Sequence, residues 1–532
     1  MVKKILFAAS EAMPFAATGG LGDVMGALPP SIAALDENTD VRAVIPLYDK
    51  ITDEWRSKMK FEKWITVRLA WREQYCGIFS LDYKGVKYYF IDNEYYFKRG
   101  GLYGHFDDAE RFAFFSRAVL ALMKAMDFYP DILHANDWQT ALSVIVLKQE
   151  LGLLPGYSGV KAVYTIHNID YQGVYGMGIL GDVFGLNANI SSIVEYNGDI
   201  NLSKGAIVCA DYVTTVSPRY ADEIKTEYYS HGLHHIINKY SYKIGGILNG
   251  IDESAYNPKN DLDIPYNYTY RGLAGKKKDK AALQARFGLD INPDVPIIAM
   301  VSRLASHKGF DILCSVADEL MGDNIQFVLL GTGEPYLERF FSSLASRYPG
   351  RVGVKITYDR KLSKLIYAGA DMFLMPSKSE ACGLAQMIAS RYGTVPIVRE
   401  TGGLFDTIKP YSWDRSGNGF TFSAYNAHDM LYVIREAEGV YSDKENWDKL
   451  AKKIMKIDFS WKLSAQKYAE LYEKITPTEN YRRKNGRFIK IQRNQRVDRE
   501  QTLPIFRRFS GRGVERADVQ GGYSYGKRRS YK

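Results

Sequence analysis

KILFAASEAMPFAATGGLGDVMG, residues 4–26, is the stretch on which the fold turns. A short apolar run, Lys4–Ala9, breaks into the glycine-bearing turn Thr18-Gly19-Gly20-Leu21-Gly22-Asp23 and then into a helical pattern. Strand, glycine turn and helix in that order open a doubly wound α/β domain. Glycines at the corner let backbone N–H groups and the positive helix end approach an anion. Gly20-x-Gly22-x-x-x-Gly26 also approximates a dinucleotide fingerprint. A dehydrogenase, however, wants an acidic ribose ligand at the tip of strand two, and Val41–Pro46 offers none before Asp49. A tight turn without a ligand is the plain alternative.

Outward from this corner the pattern repeats. Val41–Pro46, Val86–Ile91, Asp131–Ala135, Lys161–Ile166 and Tyr212–Ser217 are apolar runs of strand length, as strands buried on both faces require. Helical periodicity fills Asp108–Met126 and Trp138–Leu151. The series restarts with Pro296–Val301, Ile325–Leu330, Val352–Ile356, Asp371–Met375 and Thr394–Val398, after a polar stretch, Asn257–Lys280. The chain therefore reads as two doubly wound α/β domains, with ligands expected beyond the strand ends in the cleft between them. The turn itself recurs as Thr401-Gly402-Gly403-Leu404-x-Asp406. Two anion-ready turns suit a ligand that carries a diphosphate and is gripped from both sides.

The 532 residues are 46% hydrophobic and 25% charged, which excludes wholesale disorder. Four cysteines without CxxC spacing exclude a disulfide framework and disfavour a zinc site. No 18-residue apolar stretch occurs, and the sequence reads as a soluble, cytoplasmic chain with no membrane partner. The net charge of +9 is misleading, because 16 basic and 4 acidic residues fall within 481–532. The body is close to neutral, so no specific nucleic acid is expected as a partner. The Arg-rich tail reads as disordered, a solvated appendage, with anchoring to a polyanion or a partner as the alternative.

Several side chains at strand ends carry possible chemistry. Arg303 and Lys308, in Ser302-Arg-Leu-Ala-Ser-His-Lys308-Gly309, suit the two sides of a pyrophosphate, unless they are a surface pair near a helix start. Glu380, in Ser377-Lys-Ser-Glu380-Ala-Cys-Gly-Leu384, suits sugar hydroxyls or developing positive charge, unless it is an acid at a helix N-terminus. His134-Ala-Asn-Asp137-Trp138 and His167-Asn168 stand at the ends of consecutive strands, where substrates bind. No Asp/Glu/His cluster offers a metal, so charge stabilisation is left to cations and helix ends.

In sum these residues resemble the bacterial glycogen synthase and plant starch synthase family of retaining glucosyltransferases. The resemblance spans roughly residues 1–475. It rests on Ser10-Glu11, Thr18-Gly-Gly-Leu-Gly-Asp-Val24, His134-Ala-Asn-Asp-Trp138, His167-Asn168, Val216-Ser-Pro218, Ile247-Leu-Asn249-Gly-Ile-Asp252, Ser302-Arg-Leu304, Lys308-Gly309, Glu380-x-Cys-Gly-Leu384, Arg391-Tyr-Gly-Thr394 and Thr401-Gly-Gly-Leu404. It implies the GT-B architecture, two facing Rossmann-like domains across a deep cleft. It also implies transfer of glucose from ADP-glucose to the non-reducing end of an α-1,4-glucan such as glycogen, with no cofactor and no metal. Carried over, Glu380, His167, Arg303, Lys308 and Asp137 are the catalytic set. Gly19, Gly20, Asn249, Leu384, Thr401, Gly402 and Gly403 join Arg303 and Lys308 around the donor.

The resemblance further implies an acceptor-side domain over 1–256, a donor-side domain over 257–458, a terminal helix over 459–476 packed back on the first domain, and a tail over 477–532. Four positions depart from it, and Ala17 matters most. The family's donor-contact lysine before Thr-Gly-Gly-Leu is Ala17 here, and Lys378-Ser379 and Ala381 replace the usual neighbours of Glu380. Two alternatives follow: a UDP-glucose-dependent glucosyltransferase of the same fold, and a catalytically silent glucan-binding or regulatory protein.

Overall fold

The computed structural model describes Val2 and residues 4–476, together with the backbone of residues 481–484 and 487–490. Met1–Pro477 make one compact unit and Thr478–Lys532 a second. The first unit is built on two large sheets and also holds a small antiparallel one of Val174–Gly176, Asp199–Asn201 and Glu195–Tyr196. The larger has nine strands, in the order Ile244–Gly246, Tyr212–Thr215, Lys161–Ile166, Ile132–Asn136, Lys4–Ala8, Asp40–Pro46, Val86–Asp92, Arg72–Tyr83 and Lys60–Leu69. Its first seven strands are parallel, and the last two add antiparallel at one edge. The second sheet has six parallel strands: Val352–Lys355, Gln326–Leu330, Ile297–Val301, Met372–Met375, Val395–Arg399 and Phe420–Phe422.

The apolar runs form these strands because both faces of the central strands are covered. Ile132–Asn136 and Gln326–Leu330 are buried along their whole length. Helix Trp461–Ile475 closes the first sheet's layer and touches helix Gly20–Ala33, with Trp461, Ala465, Tyr468, Leu471 and Tyr472 in its core. His134 ties that helix down. Its Nδ1 bonds to Tyr472 OH at 2.6 Å and its Nε2 to Thr165 Oγ1 at 2.5 Å. Burial pushes its pKa down to about 3. Of the polar residues at that strand, His134 is thus structural.

Three features differ from the sequence reading. The edge hairpin Lys60–Leu69/Arg72–Tyr83 is absent from it, because one face lies in solvent and carries Trp64, Thr66 and Arg68, so no continuous apolar run marks it. The polar stretch 257–280 is no simple spacer. It runs into helix Ala274–Phe287, where buried Lys276 donates to Ala368 O (3.0 Å), Ala370 O (2.8 Å) and Thr394 Oγ1 (2.7 Å). A lysine with three acceptors is a tie between loops rather than a solvated charge.

In the second unit, Tyr481–Lys484 and Arg487–Lys490 pair as antiparallel strands, which corrects the expectation of disorder for those eight residues. The chain between them reads Asn485-Gly486, the dipeptide most favoured in two-residue hairpin loops, a local signal that overrides the charge count. The rest of the tail, residues 491–532, lies outside the described residues. Among the described residues, no helix is long and apolar enough to cross a membrane.

Candidate active site

The second sheet places the cationic residues. Strands Ile297–Val301 and Met372–Met375 are neighbours, so the segments that follow them, 302–309 and 376–384, lie side by side. Gly309, at φ +82°, lets them touch, since a Cβ there would lie 2.0 Å from Pro376 O. Lys378 N donates to His307 O at 2.9 Å. In this frame Lys308 Nζ reaches Glu380 Oε2 at 2.7 Å, and Ser377 Oγ donates to the same oxygen at 3.0 Å. Arg303 stands exposed at the end of the first strand, and among the described residues its guanidinium has no hydrogen-bond or ion-pair partner. Arg303, Lys308 and Glu380 leave one net positive charge. Leu384, half-buried, starts helix Ala385–Arg391 and packs on the core beneath.

The first sheet places the sugar-side candidates. His167 and Asp137 follow adjacent strands, Lys161–Ile166 and Ile132–Asn136. Asp137 sits at φ +56°, a backbone state that costs an L-residue on the order of 1–3 kcal/mol and gathers at functional sites. Its Oδ1 accepts the His167 N–H at 2.8 Å, which fixes the backbone that presents the imidazole. Burial pushes Asp137 up to about 7 against those backbone donors.

His167 is itself driven down to about 3 by burial, so it is neutral at physiological pH. Its Nε2 lies 2.9 Å from Asn136 Oδ1. Asn136 Nδ2 is committed to Ala8 O (3.1 Å) and His134 O (3.3 Å), so the amide oxygen faces the ring. The proton of His167 therefore sits on Nε2, and Nδ1 is left as an acceptor. Asn136 has no signal in the sequence beyond its neighbours.

The two Thr-Gly-Gly turns differ, and only the second spends its glycine N–H groups on protein acceptors. In the first, Thr18 N and Oγ1 donate to Glu11 Oε2, at 2.5 and 3.0 Å. Burial raises Glu11 to about 7. Gly19 and Gly20 remain exposed, with open space where a Cβ would stand. Ala17 packs on Gly22, so no cation rises from this position. In the second turn, Gly402 N donates to both oxygens of Glu223 at 3.0 Å, and Thr401 Oγ1 donates to Oε2 at 3.1 Å. Gly403 N faces Glu380 O (3.3 Å) and Ala381 O (3.2 Å). The Thr401 hydroxyl and the Gly402 and Gly403 N–H groups are thus engaged by protein acceptors rather than left open as an anion cradle. Sequence reasoning missed Glu223 altogether, since its partner lies 178 residues away.

Asn249 crosses from the first half. Its backbone N–H meets Cys382 Sγ, and its side-chain Oδ1, on a residue only 6% exposed, has no partner in the described structure. A buried polar atom without a partner costs about 1–3 kcal/mol, which a bound hydroxyl would recover. Among the described residues, no group of three or more His, Cys, Asp or Glu is placed to hold a metal ion.

A family model for the starch synthase catalytic domain matches residues 4–239, and one for glycosyl transferases group 1 matches residues 283–454. The chain is 48% identical over 475 residues to a glycogen synthase of Anoxybacillus flavithermus, covering 89% of this chain and 98% of the relative. It is 47% identical over 475 residues to one of Lactobacillus acidophilus, covering 89% and 99%. Among solved structures, the catalytic domain of starch synthase IV from Arabidopsis thaliana, bound to ADP and acarbose, superposes with a TM-score of 0.82 at 33% identity. That match covers 90% of this chain and 100% of the other. Sucrose-phosphate synthase from Thermosynechococcus elongatus shares the fold, at 17% identity and a TM-score of 0.57 over 89% of this chain and 99% of that one.

Proposed function

We infer that this chain, which belongs to the bacterial glycogen synthase and plant starch synthase family of glycosyltransferases, moves glucose from ADP-glucose to the non-reducing end of an α-1,4-glucan with retention at the anomeric carbon. The observation that carries the site assignment is the grouping of Arg303, Lys308 and Glu380 on neighbouring strand ends of the second sheet. Arg303, free of protein partners among the described residues, offers a bidentate face to a diphosphate, and Lys308 adds a point charge beside it. These cations stabilise the charge that grows on the diphosphate as the bond to the anomeric carbon breaks. Glu380, fixed by Lys308 and Ser377, lends negative charge as the glucosyl carbon becomes cationic. The acceptor hydroxyl then bonds to that carbon, and its proton leaves with the diphosphate oxygen.

Two buried carboxylates of the first half, Glu11 and Asp137, are engaged by backbone donors. Neutral His167 presents Nδ1 to a sugar hydroxyl, and the open Asn249 Oδ1 accepts from another. No metal enters this scheme.

The test is incorporation of labelled glucose into glycogen from ADP-glucose and UDP-glucose in parallel, with and without EDTA. Higher incorporation from ADP-glucose, insensitive to EDTA, is expected. Equal or better use of UDP-glucose would overturn the donor assignment, and no transfer from either would favour a glucan-binding role. Ala17 adds a prediction specific to this chain. Ala17→Lys places a cation at the exposed first turn and is expected to lower KM for ADP-glucose about 3- to 10-fold, the size of one partly screened charge contact. An unchanged or higher KM would show that the donor does not reach this turn.

A further inference from the structure

Val216-Ser217-Pro218 and the acid of the second turn, Asp406, carry no chemistry in the scheme above, yet they meet across the two halves. Ser217 caps helix Pro218–Glu223 by accepting from Tyr220 N at 3.0 Å, and its Oγ donates to Ala381 O at 2.8 Å. Arg219 N donates to Asp406 Oδ2 at 2.9 Å, and its guanidinium lies 4.8 Å over the Phe405 ring. At the far end of the helix Glu223, 5% exposed, takes Gly402 N and Thr401 Oγ1 and is steadied by Arg219 Nε at 3.2 Å.

The turn so held lies directly on the segment that carries Glu380. A Cβ on Gly402 would fall 1.9 Å from Glu380 O, one on Gly403 would fall 2.2 Å from Cys382 O, and Gly403 N bonds to Glu380 O and Ala381 O. Contact this close between backbones transmits displacement, because neither side has room to yield.

We propose that Glu223 is a positioning residue for glucosyl transfer. Its carboxylate fastens the first half to the Thr401-Gly402 turn, and through that turn it fixes the main chain that carries Glu380. Assembly of the two halves and placement of Glu380 are then one structural state. A carboxylate is the group that fits, because two acceptor oxygens meet donors that would otherwise be buried unpaired. A glutamine has one acceptor oxygen and would set an N–H against one of them.

The proposal rests on the assigned transferase activity, and the test separates the two. In the full chain, Glu223→Gln and Thr401→Val are made singly and together. They are followed by kcat and KM with ADP-glucose and glycogen, by melting temperature, and by amide hydrogen exchange over 379–383 and 400–404. Glu223→Gln is expected to lower kcat about tenfold or more with KM for ADP-glucose within about threefold, because placement of Glu380 acts on the transition state more than on donor binding. The double variant should be no worse than Glu223→Gln alone, since both changes break one linkage. Exchange over both segments should quicken, with only a small loss of melting temperature from the donors left unpaired.

Three results would overturn the proposal: normal kcat in Glu223→Gln, kcat losses that multiply in the double variant, or a loss that merely follows a lower melting temperature and disappears on cooling. If the unaltered chain transfers no glucose from ADP-glucose, the activity assignment fails. The exchange arm still decides the clasp, with faster exchange over both segments upholding it and no change refuting it.

Discussion

Arg303→Ala is expected to lower kcat/KM by about 100-fold or more, a loss of roughly 2.7 kcal/mol of transition-state stabilisation, while the melting temperature stays within about 1 °C. The two halves of that result have one cause. The guanidinium is exposed and has no hydrogen-bond or ion-pair partner among the described residues, so the fold loses nothing with it. Lys308→Ala should cost as much activity and, in contrast, stability as well. Lys308 is the cation that pairs with Glu380, whose side chain is only 11% exposed, and removal leaves that carboxylate with Ser377 alone. Steady-state kinetics and thermal unfolding of both variants check the contrast. Full activity in either would show that the diphosphate is held elsewhere. A stability loss in Arg303→Ala equal to that in Lys308→Ala would contradict the geometry.

Glu380→Gln is expected to lower kcat about 100-fold with KM for ADP-glucose changed by less than about threefold. Glutamine keeps the size of the side chain and an acceptor for Ser377, so the segment after Met375 need not move. What disappears is the charge. Lys308 then lacks its counter-ion, and the site has nothing opposite the positive charge that grows at the glucosyl carbon. Donor binding alone would gain from the freed cation, so KM has no reason to rise. A variant with normal kcat and a raised KM would reduce Glu380 to a donor contact.

Much of the fold was legible because its central strands are buried on both faces. Runs such as Lys161–Ile166 and Gln326–Leu330 have no polar face to conceal them, and glycine turns mark the corners that follow. Edge hairpin Lys60–Leu69/Arg72–Tyr83 was illegible for the opposite reason, since solvent on one face allows Thr66 and Arg68 into a strand. In the site, Arg303, Lys308 and Glu380 could be picked out from strand-end position and residue type. Their pairing could not, because Lys308 and Glu380 are 72 residues apart and the register of two strands brings them together. The second Thr-Gly-Gly turn was misread as a phosphate cradle for the same reason. Which acceptor fills a turn is decided by what packs against it, here Glu223. Asn136 sets the tautomer of His167 through a network of neighbouring strands that no linear spacing displays.

The central claim is tested most directly by incubating the purified chain with ADP-glucose and a short α-1,4-linked maltooligosaccharide and determining the structure of the product. The account predicts an oligosaccharide one glucose longer, with the new residue α-1,4-linked at the non-reducing end and one ADP released for each glucose added. A β-linked product, or release of free glucose with no lengthened chain, would contradict it.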